Sequence, residues 1–166
     1  MLRIPLNLQI RYRLKMNPQK IRITKIFSFE TAHALFGYDG KCKNVHGHSY
    51  KLYVTLRGTP IEDTSNEKLG MVIDFGDVKK IVKSEIVDKL DHAVLLNENS
   101  GHKSLGEMLE KQGHKVVFTP YQPTCENMLI DFAERIKKQL PPQVELVYLK
   151  LYETENSYGE WLAEEN

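Results

Sequence analysis

IRITKIFSFETAH, residues 21–33, is the stretch whose reading decides the fold. If the chain is extended there, Ile21, Ile23, Lys25, Phe27, Phe29, Thr31 and His33 share one face, and β-branched and aromatic types dominate. It reads as a strand with one side turned toward a core. A second such run extends from about Val45 to Arg57, with His46, His48, Tyr50, Leu52, Val54 and Leu56 pointing the same way. Between them lies a turn-rich segment carrying Gly37, Asp39 and Gly40. The first strand runs into that turn, so pairing of the two strands brings His33 alongside His46 and His48.

Outward from this pair, Gly58, Pro60, Asp63, Ser65 and Asn66 mark a turn, followed by a short predicted strand from Met71 to Ile73. Asp74 is placed to cap a helix beginning near Phe75, along which Val78, Ile81, Val82, Ile86 and Leu90 form one apolar stripe. Asp91 and His92 fall in a loop. Residues 97–118 are polar, with a short helix predicted from Lys103 to Gln112. A second main helix follows Pro123 with Thr124 as N-cap; Met128, Leu129, Phe132, Ile136 and Leu140 supply its buried side until Pro141 and Pro142 stop it. Val144–Tyr152 reads as a strand, and Ser157–Ala163 as a last short one. The order implies an α+β fold with two helices covering one face of a mainly antiparallel, four-stranded sheet. Such a sheet leaves edges that oligomerisation commonly covers.

The chain has 166 residues, enough for one domain with a sizeable core. Its 23 basic and 22 acidic residues leave a net charge of +1, which gives no general electrostatic case for nucleic acid or an anionic membrane. No apolar run approaches the roughly 18 residues needed to span a bilayer. Two separate cysteines, Cys42 and Cys125, suggest thiols in a reducing, cytoplasmic setting, with a mutual disulfide left open. From Met1 to Phe29 there are seven Arg or Lys residues and no acid. Residues 1–19 are expected to be a basic N-terminal arm and residues 20–166 the domain. An import signal, or a true start at Met16, are the other readings of the arm.

His46-Gly47-His48 carries the sharpest chemistry. Residues i and i+2 of a strand project from one face about 7 Å apart, from which two imidazoles can converge on one ion. With His33 beside them, three neutral imidazoles suit Zn²⁺, and Fe²⁺, Ni²⁺ or Co²⁺ by the same ligand chemistry. Cys42, just upstream of His46, leaves two possibilities at this level. As a fourth ligand it would close a structural site; otherwise the site keeps an open position, as catalytic zinc does. Asp91-His92 could equally cap the helix ending near Leu90, Glu153 could be a solvated strand residue, and Phe36, Tyr50 and Tyr121 fit core or pocket walls. His102 and His114 have no partner that sequence reveals.

Six segments occur in order: FSFETAHAL (27–35), CKNVHGH (42–48), MVIDFGDVKK (71–80), LDHAVLLNE (90–98), PTCEN (123–127) and YETENSY (152–158). Together they resemble the 6-pyruvoyl-tetrahydropterin synthase / 6-carboxy-tetrahydropterin synthase family over roughly Ile23 to Ala163. The resemblance implies a tunnelling fold, a ββααββ subunit whose sheets assemble into a barrel, usually as a hexamer of stacked trimers with pterin sites between subunits. It implies Zn²⁺ on His33, His46 and His48, an open site with Cys42 as catalytic thiol, and Asp91 and His92 as paired catalytic residues. Glu153 matches the carboxylate that grips the pterin ring at the far end of the substrate, and Thr124 and Glu126 lie in another segment lining that pocket. The three-residue gap between Cys42 and His46 resembles the bacterial carboxy-forming branch of queuosine and 7-deazaguanine synthesis. The long polar stretch between Asn97 and Phe118, which compact members shorten, is a departure.

The implied substrate is 7,8-dihydroneopterin triphosphate and the implied product 6-carboxy-5,6,7,8-tetrahydropterin, with acetaldehyde and triphosphate released. A pyruvoyl-forming synthase is the alternative within the family. A non-catalytic zinc module with a nucleic-acid- or protein-binding arm is the alternative from another class.

Overall fold

The computed structural model describes residues 19–166, so the basic arm expected over residues 1–19 lies outside the described residues apart from Gln19. Strand β1 (Ile21–His33) and strand β2 (His46–Gly58) pair antiparallel over all 13 positions, from Ile21 opposite Gly58 to His33 opposite His46. Alternation along β1 is as expected, with Phe27, Phe29, Thr31 and His33 buried and Ser28 and Glu30 between them exposed. Strand β5 (Val144–Tyr152) pairs antiparallel with β2, and β6 (Tyr158–Leu162) with β5.

The sheet is larger than the four strands expected, and it is mixed. Strand β3 (Ala93–Asn97) joins β1 in parallel and β4 (Val116–Thr119) joins β3 in parallel, giving the order β4-β3-β1-β2-β5-β6. Both additions are short and lack clean alternation, because parallel strands covered on two sides need none. The strand expected at Met71–Ile73 does not form. Ile61 N donates to Met71 O at 2.9 Å and Gly70 N to Ile61 O at 2.8 Å, which closes a loop instead.

Helix α1 runs from Phe75 to Leu90 and opens on Asp74, whose carboxylate accepts from Gly76 N. Its middle, Lys83–Val87, is a π-helical turn. The turn has a packing reason. Val78, Val82, Ile86 and Leu90 are all buried and strictly four residues apart, whereas 3.6 residues per turn makes each four-residue step overshoot by about 40°. One wider turn takes up that drift and keeps the stripe on the sheet. Arg135 Nη1 donates to Glu85 O within the turn at 3.2 Å, and Asp131 holds Arg135 while accepting from Tyr121 at 2.6 Å.

Helix α2 (His102–Lys111) lies in the connection from β3 to β4, and helix α3 (Cys125–Lys137) begins at Thr124, whose hydroxyl accepts from Asn127 N at 3.3 Å. Residues of α1 and α3 share one buried cluster with the inward faces of β1, β2, β3 and β5, as expected for two helices on one face. Helix α2 packs elsewhere. It covers Leu96 and Phe118, which alternate with the core-facing Leu95 and Val117. Gly106 makes that approach possible, since a Cβ there would stand 2.5 Å from the Phe118 ring. Within the main core, Phe29 stacks on Tyr50 at 5.4 Å and meets Phe132 edge-on at 6.3 Å, a fixed floor under the ends of β1 and β2. No helix among the described residues is long and apolar enough to cross a membrane.

Candidate metal centre

His33 ends β1, and His46 and His48 begin β2, so the strand register itself gathers the three rings. Their ligand atoms lie within 4.8 Å of one another, with His33 Nε2 3.1 Å from His46 Nε2. The far nitrogens are already engaged: His33 Nδ1 donates to Pro123 O at 2.7 Å and His46 Nδ1 to Asn44 O at 2.8 Å. Those bonds fix the tautomers and leave both Nε2 atoms as acceptors facing each other. His48 Nε2 is buried with no hydrogen-bond partner among the described residues.

The facing lone pairs of His33 and His46, with no proton between them, are unfavourable unless a cation stands there, and His48 Nε2 is unpartnered beside them. Two nitrogens on one tetrahedral Zn²⁺ lie about 3.3 Å apart for bonds of 2.0–2.1 Å, close to the separation present. Burial, the largest influence, lowers the pKa of both His33 and His48, so these imidazoles are neutral at pH 7 and able to ligate. The donor set therefore fits a divalent metal of the zinc type.

Among the described residues, Cys42 is not part of this ligand cluster. It sits half-buried in a single 3₁₀ turn, Lys41–Lys43, within electrostatic reach of Tyr50, and both cysteines are free. Cys125 packs inside α3, where burial pushes its thiol up to about 11.

Glu153 is placed differently from the expectation of a distant ring-gripping carboxylate. Its Oε1 stands 3.6 Å from His33 Nε2 and 3.8 Å from His48 Nε2, and it accepts a 3.2 Å bond from the hydroxyl of fully buried Tyr50. The turn after β5, closed by Glu153 N donating to Ser157 O at 3.0 Å, brings it there. Tyr50, read from sequence as a core or pocket-wall aromatic, is thus a donor at the site. The carbonyls of Pro123 and Asn44 were not legible at all, because a backbone acceptor leaves no mark in residue type.

Asp91 and His92 do meet. Adjacent side chains on a strand diverge, but His92 has φ 59, and this left-handed turn brings its Nδ1 to 3.0 Å from Asp91 Oδ2. Strand β1 holds the turn on both sides: Glu30 N donates to Asp91 Oδ1 at 2.9 Å and His92 N to Glu30 O at 2.6 Å. The bond from Glu30 N, more than His92, keeps the Asp91 carboxyl below its usual range. A cleft of about 380 Å³ has Glu30, Gly47, His48, Ser49 and His92 among its walls, but not His33, His46 or Asp91. Thr124 has its hydroxyl committed to capping α3, and Glu126 is exposed in the first turn of that helix. A hollow of about 430 Å³ near Arg22, Arg57 and Tyr148 lies at the opposite end of β1 and β2 from the histidines.

Residues 22–164 match the family model described as 6-pyruvoyl tetrahydropterin synthase. The chain belongs to that family. It is 38% identical over 141 residues to the 6-carboxy-5,6,7,8-tetrahydropterin synthase of Haemophilus influenzae, covering 84% of this chain and 97% of the relative. It is 30% identical over 167 residues to the enzyme of the same name from Aquifex aeolicus, covering 87% and 99%. A solved 6-pyruvoyl tetrahydropterin synthase of Caenorhabditis elegans superposes with a TM-score of 0.63 at 25% identity, covering 89% of this chain and 99% of the other. One from Plasmodium vivax does so at 0.64 and 18%, covering 86% and 97%, a likeness of fold alone. The subunit fold is the tunnelling fold of the family.

Proposed function

We propose that this protein is a zinc-dependent 6-carboxy-5,6,7,8-tetrahydropterin synthase acting on 7,8-dihydroneopterin triphosphate in queuosine and 7-deazaguanine synthesis. The observation that carries the reading is the set of three imidazoles, His33, His46 and His48, whose ligand atoms lie within 4.8 Å of one another. The names of its relatives and the three-residue gap between Cys42 and His46 support the carboxy-forming branch.

His33, His46 and His48 hold the zinc, which when bound polarises side-chain oxygens of the substrate. Cys42, outside the ligand set, is the base that removes a proton from a hydroxyl-bearing carbon. His92 relays protons, with Asp91 fixing its tautomer. Glu153, anchored by Tyr50, accepts hydrogen bonds from the substrate at the reacting end. Glu126, exposed beside Thr124, is then the carboxylate free to receive the amino-pyrimidine edge. Atom balance requires one water, because the two side-chain hydroxyl oxygens become three oxygens in the carboxylate and acetaldehyde. No nicotinamide enters. The subunits form a cytoplasmic homo-oligomer, a hexamer of stacked trimers, whose contacts cover the sheet edges at β4 and β6.

Incubation of the zinc-loaded protein with 7,8-dihydroneopterin triphosphate, followed by mass spectrometry, tests the reading. The expected products are the 6-carboxy pterin and acetaldehyde. A pyruvoyl product would assign it to the other branch, and bound zinc without turnover would make it a binding module.

A further inference from the structure

The polar stretch between Asn97 and Phe118 reaches two separate segments that carry proposed site residues. At its start, Gly101 lies against the Phe36 ring so closely that a Cβ would stand 2.5 Å from it, and His102 meets the same ring edge-on at 5.2 Å. His102 Nδ1 is buried without a hydrogen-bond partner among the described residues, so this imidazole serves as a packing surface. Phe36 belongs to the loop that carries Cys42. Leu35 N donates to Cys42 O at 2.9 Å, which closes the loop immediately beside Phe36. The Phe36 backbone is gripped as well: its N–H donates to Gln122 Oε1 at 3.1 Å and its carbonyl accepts from Gln122 Nε2 at 2.9 Å. Phe36 is half exposed, so its position comes from these neighbours and not from the main core.

At the far end of the stretch, Lys115 Nζ donates to Asp88 O at 2.9 Å and to Asp91 O at 2.8 Å. These are carbonyls at the C-terminus of α1, where a cation is favoured and where the Asp91–His92 turn begins. Val94 N donates to Lys115 O at 3.0 Å, which ties the lysine to β3 just beyond that turn. Between the two ends, α2 is locked onto β3 and β4 through Gly106, Leu96 and Phe118.

We infer that the segment from β3 to β4 is a brace, positioning the Cys42 loop through Gly101 and His102 and the Asp91–His92 turn through Lys115. The assignment of catalytic work to Cys42, Asp91 and His92 rests on the function proposed above; the two anchors themselves do not. Gly101, His102 and Lys115 are positioning residues that act through Phe36 and through the α1 terminus.

The test compares Gly101→Ala, Lys115→Met and Lys115→Arg in the full, zinc-loaded chain. Gly101 has φ −59 and ψ −15, so alanine suits its backbone and acts only on the Phe36 ring. Readouts are hydrogen exchange over residues 35–43 and 88–93, alkylation of Cys42 by iodoacetamide with buried Cys125 as reference, zinc content, kcat and KM. Gly101→Ala is expected to speed exchange in 35–43 and change the Cys42 alkylation rate while leaving 88–93 as in wild type. Lys115→Met is expected to do the reverse, and Lys115→Arg to restore wild-type exchange. Each disruptive variant should lower kcat about ten-fold with KM within about two-fold, because orientation and not binding is lost. Unchanged exchange in the segment a variant should loosen, or equal loosening of both segments, overturns the brace. If Gly101→Ala does not fold, His102→Ala reads the same contact. A wild-type protein without turnover would defeat the proposed function, while exchange and alkylation would still decide the brace.

Discussion

A histidine that gives one ring nitrogen to a carbonyl has only the other to offer a metal, and at His33 and His46 this choice has already been made by Pro123 and Asn44. The strand spacing of His33, His46 and His48 was legible in the sequence because a side-chain period of two fixes which residues share a face. The partnership of Glu153 with Tyr50 was not, because it depends on how the chain turns after β5. His102 looked partnerless for a related reason: its neighbour Phe36 is far away in sequence and is reached only once β3 has joined β1. One substitution separates ligand from base. Cys42→Ala is expected to retain its zinc, measured by inductively coupled plasma mass spectrometry, and to lose at least about 100-fold in kcat, the lower range for loss of a general base. Loss of zinc would instead make Cys42 a ligand.

Strands announce themselves when one face is wet. Thus β1, β2 and β5 could be read to within a residue or so, whereas β3 and β4, short and covered, could not. The caps at Asp74 and Thr124 were readable because their side chains do the capping. The join of β2 to β5 carries a pH-dependent element. Glu145 accepts from Lys20 at 2.6 Å and from Arg57 at 2.5 and 3.1 Å, and these bonds hold its carboxyl down at about 2 against an ordinary 4.5. The sign follows directly. A carboxyl with a depressed folded-state pKa stabilises fully above about 4.5, and that contribution is lost as pH falls toward about 2. Urea titrations across this window should show a shallower acid loss for Glu145→Gln than for wild type. Identical slopes would mean that the pair contributes nothing, as exposed pairs often do.

At the scale of the whole subunit, the six-stranded sheet ends in two open edges, β4 and β6. Its face opposite α1 and α3, beyond the part that α2 covers, carries polar and aromatic groups, such as Lys150 over the Tyr158 ring at 3.5 Å and Thr24 bonded to Thr55 at 2.8 Å. Native mass spectrometry is expected to find six copies of the 19.2 kDa chain, and a monomer at micromolar concentration would overturn the proposed assembly. The α+β class was legible because the strand patterns cluster toward the two ends of the chain and the two main helical stripes lie between them. The mixed sheet was not, because parallel pairing follows from where a crossover lands and not from any pattern within the strand.

The wide turn in α1 amounts to one spare residue stored inside a helix. Removing Ser84 would let the turn tighten, and the buried series would then run at steps of four, three and four, the spacing an ordinary helix buries well. The core should accept this, with a thermal midpoint near that of wild type. The helix would keep nearly its full length, because the extra residue widens the turn and does not lengthen the axis, so Asp91 and His92 would stay beside Glu30. A Ser84 deletion that is folded, zinc-bound and active would mark this turn as slack taken up by packing, and an inactive one would show that the reach of His92 depends on it.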